Sequence, residues 1–172
     1  MTNPPLPPVI AHAFKMQEAA VCLLQNGYRL PALMLVYTTI DQMAWLSISG
    51  TGEAKGTDFI AWVDKYMLAH HNSGLEGVTA GDLWGARCGL LHTATAESRS
   101  LKNGTADSRI AYTYGRPVVP TLPDGWHHVD ISDLVTSLLT AVVWFRDEID
   151  SDAELAKSAN EKLALMLQDQ TF

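Results

Sequence analysis

The sequence predicts an all-α protein, an antiparallel helical bundle of about five to six helices in one domain. Two observations carry this. Apolar residues recur at three- and four-residue spacing through most of the 172 residues, and the connections between these stretches are mostly short and marked by Gly, Pro or Asn. No alternation of strand-like and helical stretches interrupts the pattern. Residues 1–8, with four prolines in MTNPPLPP, read as a flexible lead-in, and residues 9–172 as the domain.

The first helix is expected from about Pro8 to Asn26. Pro8 suits an early helical position, Gly27 suits the stop, and Ile10, Ala13, Phe14, Val21 and Leu24 form the stripe. The second runs from about Pro31 to Ser49, with Leu33, Tyr37, Ile40, Met43 and Ala44 inward and Gly50 and Gly52 at its end. The third begins near Thr57 as N-cap, carries Phe59, Ile60, Trp62, Val63, Tyr66 and Met67, and closes in the turn from His70 to Gly74. The fourth starts at Thr79, packs through Leu83, Trp84, Leu90 and Leu91, and frays between Thr95 and Ser100. Residues 109–120 alternate weakly and carry Pro117 and Pro120, so they read as a short edge strand or extended loop. The fifth helix starts near Ser132 with Leu134, Val135, Leu138, Val142 and Phe145. The sixth covers about Ala153 to Leu167.

Composition excludes several classes. A hydrophobic fraction of 47% rules against disorder. Two cysteines, Cys22 and Cys88, exclude a disulfide framework, and neither stands in a metal-ligand spacing, so no metal or cofactor is expected. The N-terminus lacks the features of a signal peptide. The longest apolar run, Leu134 to Phe145, is about 12 residues, against the roughly 20 that a membrane span needs. A cytoplasmic protein with no membrane contact is the expectation. Net charge is −7, all of it from Asp124 onward, where ten acids face three bases. Arg87 to Arg116 opposes this with five bases against two acids. Arg99, Lys102, Arg109 and Arg116 are therefore the candidate phosphate contacts, with a solvated loop of scattered charges as the bland alternative.

Nucleotide-binding glycine loops, HExxH and GxSxG are absent. The adjacent pairs His70-His71 and His127-His128 read as surface histidines, since neighbouring side chains diverge and seldom chelate one ion. Asp41, mid-helix beside an apolar stripe, is a candidate to orient a site residue from a neighbouring helix; a solvated position is the alternative. Arg87-Cys88-Gly89-Leu90-Leu91-His92 places a permanent cation and a side chain of near-neutral titration on one helix. Five residues along a helix leave the two about 140° apart around the axis. They converge on one ligand only through the length of arginine or between two helices. Gly89 would allow another backbone to approach.

Arg87 to His92 resembles the R-x4-6-H motif of the HEPN superfamily. The wider GDLWGARCGLLHTATAESRS and RIAYTYG resemble small bacterial and plasmid-borne HEPN-like proteins in which ARCGLLH recurs. The resemblance is specific over Leu83 to Gly115 and architectural elsewhere. It implies a helical bundle, a homodimer whose motif helices meet, and a metal-independent endoribonuclease serving as a toxin or defence effector. RNA would be the substrate, and an antitoxin or defence-system component a partner. Arg87 and His92 would be the catalytic pair, the histidine handling the proton of the ribose 2′-hydroxyl or of the leaving oxygen, the arginine stabilising the phosphorane-like transition state. The sequence departs from the family at Cys88, where Asn, Asp or His is common, and at Ala94, where one toxin branch carries a modifiable tyrosine. Two further readings stand beside the enzyme: a non-catalytic HEPN binding or dimerisation module, and a helical protein in which the motif is incidental.

Overall fold

The computed structural model describes residues 5–50, 52–69, 74–96, 99–115 and 121–166, with the backbone alone for Thr93, Arg99 and Ser100. The chain is mostly helical. In order come α1 (Pro8–Gln25), α2 (Arg29–Ser47), α3 (Gly56–Trp62), which continues as a π-helical segment (Val63–Leu68), α4 (Ala80–Thr93), the single turn α5 (Arg99–Lys102), β1 (Arg109–Thr113), β2 (Trp126–Asp130), α6 (Ile131–Ser151) and α7 (Ala153–Leu163). Among the described residues no helix is long and apolar enough to cross a membrane.

α1 and α2 form a helical hairpin. Pro8 sits in the first turn of α1, where its missing N–H costs nothing, and Gly27 takes φ +82° in the turn between the helices. Ile10 and Ala13 of α1 and Tyr37, Ile40 and Met43 of α2 have no measurable exposure. α3 and α6 supply the aromatic centre of the core, in which Trp62, Tyr66 and Phe145 lie with ring centroids 5.3 to 6.3 Å apart. α7 closes the C-terminal end of α2 through the buried Lys162. Its Nζ donates to the Trp45 carbonyl at 2.7 Å and to that of Ile48, placing a cation where the helix dipole is negative. Burial pushes the Lys162 pKa down.

The structure departs from the sequence reading at several helix ends, α2 running Arg29–Ser47 rather than Pro31–Ser49 among them, and in one strand pair. α3 begins two residues earlier than expected, with Lys55 rather than Thr57 as cap, and the Lys55 amide donates to Asp58 Oδ2 at 2.6 Å. α7 ends at Leu163, short of Leu167, which lies outside the described residues. The main departure is a strand pair. β1 occupies the start of the expected 109–120 extended segment, but its partner β2 was not anticipated, and the two run parallel with Arg109 opposite Trp126 and Thr113 opposite Asp130. A parallel pair cannot be joined by a tight hairpin, and residues 114–125 stand between the two strands in sequence. β2 passes directly into α6, with Asp130 capping the helix through the Ser132 amide at 2.8 Å. Arg116 and Pro117 to Pro120, the His70-His71 pair and residues 1–4 of the lead-in lie outside the described residues.

Candidate functional site

α4 carries the motif, and its placement starts at its N-terminus. Thr79 and Asp82 form a capping box. The Thr79 Oγ1 accepts the Asp82 amide at 3.1 Å, and Asp82 Oδ2 accepts the Thr79 amide at 3.0 Å and its hydroxyl at 2.7 Å. The fully buried Asp82 also reaches out of the helix. Its Oδ1 accepts the amides of Asp107 and Ser108 at 3.0 and 2.7 Å, which pins the start of β1 to α4. Next to it, a Cβ on Gly81 would stand 2.2 Å from the Thr105 carbonyl oxygen, so the 105–108 backbone lies directly on the helix. Gly85 and Gly89 continue this side of α4 and are buried. The close backbone approach lies at Gly81, two turns before Gly89, the position where the sequence suggested one.

Arg87 leaves α4 toward α2. Its Nε and Nη2 both donate to Asp41 Oδ2, at 2.8 and 2.7 Å, and the guanidinium lies 5.1 Å from the centroid of Trp84, one turn earlier. Trp84 is itself held by α3, packing on the backbone of Gly56 and against the Phe59 ring at 5.3 Å. The arginine is therefore fixed from two sides, by a carboxylate and by a ring. His92 is exposed on the last turn of α4. Its charge is the smallest of the influences on the Asp41 carboxyl, and of the two motif residues only Arg87 is in contact with that group. Just beyond, Ala94 ends α4 in the left-handed region at φ +53°, a conformation that L-residues adopt at a cost.

Burial raises the Asp41 carboxyl above its ordinary value; the hydrogen bond and charge of Arg87, and then the charge of His92, pull it down without cancelling that rise. For Arg87 burial acts downward, but Asp41, and after it Cys88, outweigh it and hold the guanidinium more firmly protonated than usual. The pair is unequal: it reinforces the cation and leaves the carboxylate under net strain from desolvation.

One turn before Asp41 on α2, the buried Tyr37 hydroxyl meets the Tyr112 hydroxyl of β1, the rings standing edge to face at 6.5 Å. Burial, above all, raises both phenols. This contact ties β1 to α2 as Asp82 ties it to α4. Arg109, Tyr112 and Ser108 then line a small cavity of about 70 Å³ against Ala86 and Leu90 of α4, with Thr95 and Ala96 at its rim.

Of the candidate phosphate contacts, Arg109 is half-buried beside α4, its guanidinium 5.9 Å from the Trp126 ring centroid. Lys102 is exposed on α5, and the Arg99 side chain and Arg116 are outside the described residues. His127 and His128 stand on β2, where the His128 Nε2 and the Thr113 hydroxyl are hydrogen-bonded at 2.7 Å across the strand pair. Among the described residues no three His, Cys, Asp or Glu are grouped so as to hold a metal ion. Sequence reasoning missed Asp82, although Thr79-x-x-Asp82 is the spacing of a capping box, and took Trp84 for an ordinary core residue, although its three-residue spacing from Arg87 allows stacking. Comparison with protein-family models, curated proteins and solved structures gives no match.

Proposed function

We propose that this protein is a HEPN-type endoribonuclease that cleaves RNA without a metal, with Arg87 and His92 as its working pair and Asp41 as the residue that positions Arg87. The observation that supports this best is the fixed guanidinium. Asp41 takes the Nε and Nη2 edge of the Arg87 side chain and sets its orientation, and the helix that carries Arg87 ends on the exposed His92. Under this proposal the remaining N–H groups of the guanidinium meet a phosphate.

In this reading the attacking group is the RNA's own 2′-hydroxyl. His92 accepts its proton as the oxygen adds to phosphorus, Arg87 balances the charge gathering on the phosphoryl oxygens, and the 5′-oxygen departs with a proton taken from solvent water, His92 returning its own to solvent afterwards. The products are a 2′,3′-cyclic phosphate and a 5′-hydroxyl. A second copy would meet the first along the half-exposed edge of α4, where Trp84, Cys88 and Leu91 lead to His92, bringing two motif pairs to one cleft. Arg109 and Lys102 would hold the flanking phosphates. A toxin or defence role in the cytoplasm, restrained by an antitoxin or another component of the same system, follows from the family resemblance.

A second reading has its own support. An arginine already neutralised by Asp41 and stacked on Trp84 is what a purely structural role requires, and that favours a non-catalytic HEPN module. Incubation of the purified protein with mixed RNA, with and without EDTA, separates the two. The enzyme reading expects cleavage in both conditions and a loss of roughly 10²- to 10⁴-fold in His92→Ala. Absence of cleavage on all RNA favours the module; cleavage abolished by EDTA or untouched in His92→Ala overturns the mechanism.

A further inference from the structure

β1 and β2 turn one face to the helices and the other outward. Ile110 and Val129 point inward and belong to the core. The outer face carries the alternate residues, in register as Arg109 opposite Trp126, Ala111 opposite His128 and Thr113 opposite Asp130. All of these but Thr113 are half-exposed. An outward sheet face is ordinarily polar. This one places an indole and an imidazole two residues apart on one strand, while the neighbouring His127 turns the other way, toward Gly77.

The spacing of the two rings is that of a gap for one more. Trp126 and His128 stand about 6.6 Å apart along the strand. A flat ring inserted between two others needs about 6.8 Å, twice the 3.4 Å rise of stacked bases. Each ring has its partner elsewhere. The Arg109 guanidinium lies 5.9 Å from the Trp126 ring centroid at one end. At the other, His128 Nε2 and the Thr113 hydroxyl are hydrogen-bonded at 2.7 Å, which draws the imidazole along the strand away from Trp126. The floor between them is Ala111, the smallest side chain on this face.

We infer that the outer face of the strand pair is a platform for single-stranded RNA, with one unpaired base inserted between Trp126 and His128 above Ala111. Aromatic rings on a sheet face are a recurrent way to hold an unstacked base. The charges set the direction of the strand. Arg109 stands at one end of the face and Asp130 at the other, its carboxylate engaged by the Gly115 and Ser132 amides. The phosphates therefore pass on the Arg109 side, and that end of β1 is the one that Asp82 pins to α4. An aromatic side chain of a peptide would fill the same gap without gaining from the arginine; a base brings its phosphate with it. Binding here rests on the reading of RNA as the ligand, not on its cleavage.

Fluorescence anisotropy of the full chain with short single-stranded 2′-O-methyl RNA tests it, since that probe has no free 2′-hydroxyl and cannot be cleaved through one. Trp126→Ala should weaken binding by about 5- to 100-fold, the worth of one stacked base, and Trp126→Phe should keep most of it. Ala111→Leu should weaken binding as much, because it fills the gap while removing no partner. Its half-exposed position keeps the test valid if circular dichroism shows Trp126→Ala unfolded. Adenosine monophosphate and inorganic polyphosphate separate a free nucleotide and charge alone from a strand, and each should bind far more weakly than the oligomer. Equal affinity for either one, binding unchanged in Trp126→Phe and Ala111→Leu alike, or no binding of any oligomer overturns the platform. Cleavage of unmodified RNA is scored separately. A chain that cleaves RNA while Ala111→Leu binds as before refutes the platform alone, and a chain that binds through Trp126 without cleaving supports the platform and refutes the enzyme.

Discussion

Asp41 and Arg87, 46 residues apart in sequence, meet through a single carboxylate oxygen, which accepts from both Nε and Nη2 of the guanidinium. The side chains are 26% and 21% exposed, so the contact is neither a surface ion pair nor a fully desolvated one. Removing one partner strands the other.

Arg87→Ala should therefore destabilise the fold in a pH-dependent way. The Asp41 carboxyl is already raised by burial, and loss of Arg87 removes the main opposing influence, so it rises further. A carboxyl raised in the folded state favours folding while both states are protonated, and that advantage is lost as pH climbs through the folded value. The gap between the original protein and Arg87→Ala should accordingly be smallest in acid and widest near neutrality, at about 1–3 kcal/mol. Urea denaturation at the two pH values measures it. A gap that is constant with pH would mean that Asp41 does not carry the charge assigned to it.

Gly81→Ala tests the seating of β1. The added methyl would stand 2.2 Å from a backbone oxygen, a contact no rotamer change relieves, so the 105–108 segment must lift or α4 must shift. Overpacking of this kind costs about 1–3 kcal/mol. Amide exchange should show its largest acceleration at Asp107 and Ser108, whose N–H groups are held by Asp82. Asp82→Ala should reproduce that local pattern and destabilise α4 as well, since it removes the capping box.

The helices were legible in the sequence because burial repeats with their period. Tyr37, Ile40 and Met43, or Leu134, Leu138, Val142 and Phe145, are core residues at the spacing that announced them. β2 was not legible. Of Trp126 to Asp130 only Val129 is buried, and two adjacent histidines hide any alternation, so the strand exists through its pairing with β1 rather than through its own pattern. The candidate site divides the same way. Asp41 stood out as a polar residue beside an apolar stripe, and Arg87 and His92 stood out by type. That the Asp41 carboxylate takes two N–H groups of Arg87, and that Trp84 stacks beneath it, depends on how α2, α3 and α4 pack, which no local spacing encodes.

Tyr66, in the π-helical segment after α3, should titrate far above an ordinary phenol. Its pKa is pushed up to about 12, first by burial and then by the hydroxyl's hydrogen bond to Glu148 Oε2 at 2.6 Å. Its contribution to stability is present below the unfolded value of about 10 and lost between there and 12. Ultraviolet difference titration of the phenolate reads this directly. Glu148→Gln should move the transition down while burial keeps it above the ordinary value; an unmoved transition would show that the hydrogen bond has no part in it.

The chemistry proposed for α4 makes a demand on the geometry of Arg87 that a mere cation would not meet. With Nε and Nη2 committed to Asp41, only a guanidinium can hold the carboxylate and a phosphoryl oxygen at once. An ammonium is a compact point charge and must choose between them. Arg87→Lys should therefore keep the fold, since the ion pair with Asp41 can re-form, yet lower RNA cleavage by about 10²-fold or more, the usual worth of one transition-state donor. Asp41→Asn should slow cleavage as well, by releasing the guanidinium, with the larger effect on kcat than on KM. The product should end in a 2′,3′-cyclic phosphate, and DNA, which lacks the attacking hydroxyl, should remain intact. Full activity in Arg87→Lys would show that charge alone suffices at this position, and cleavage of DNA at the same rate would remove the 2′-hydroxyl from the mechanism altogether.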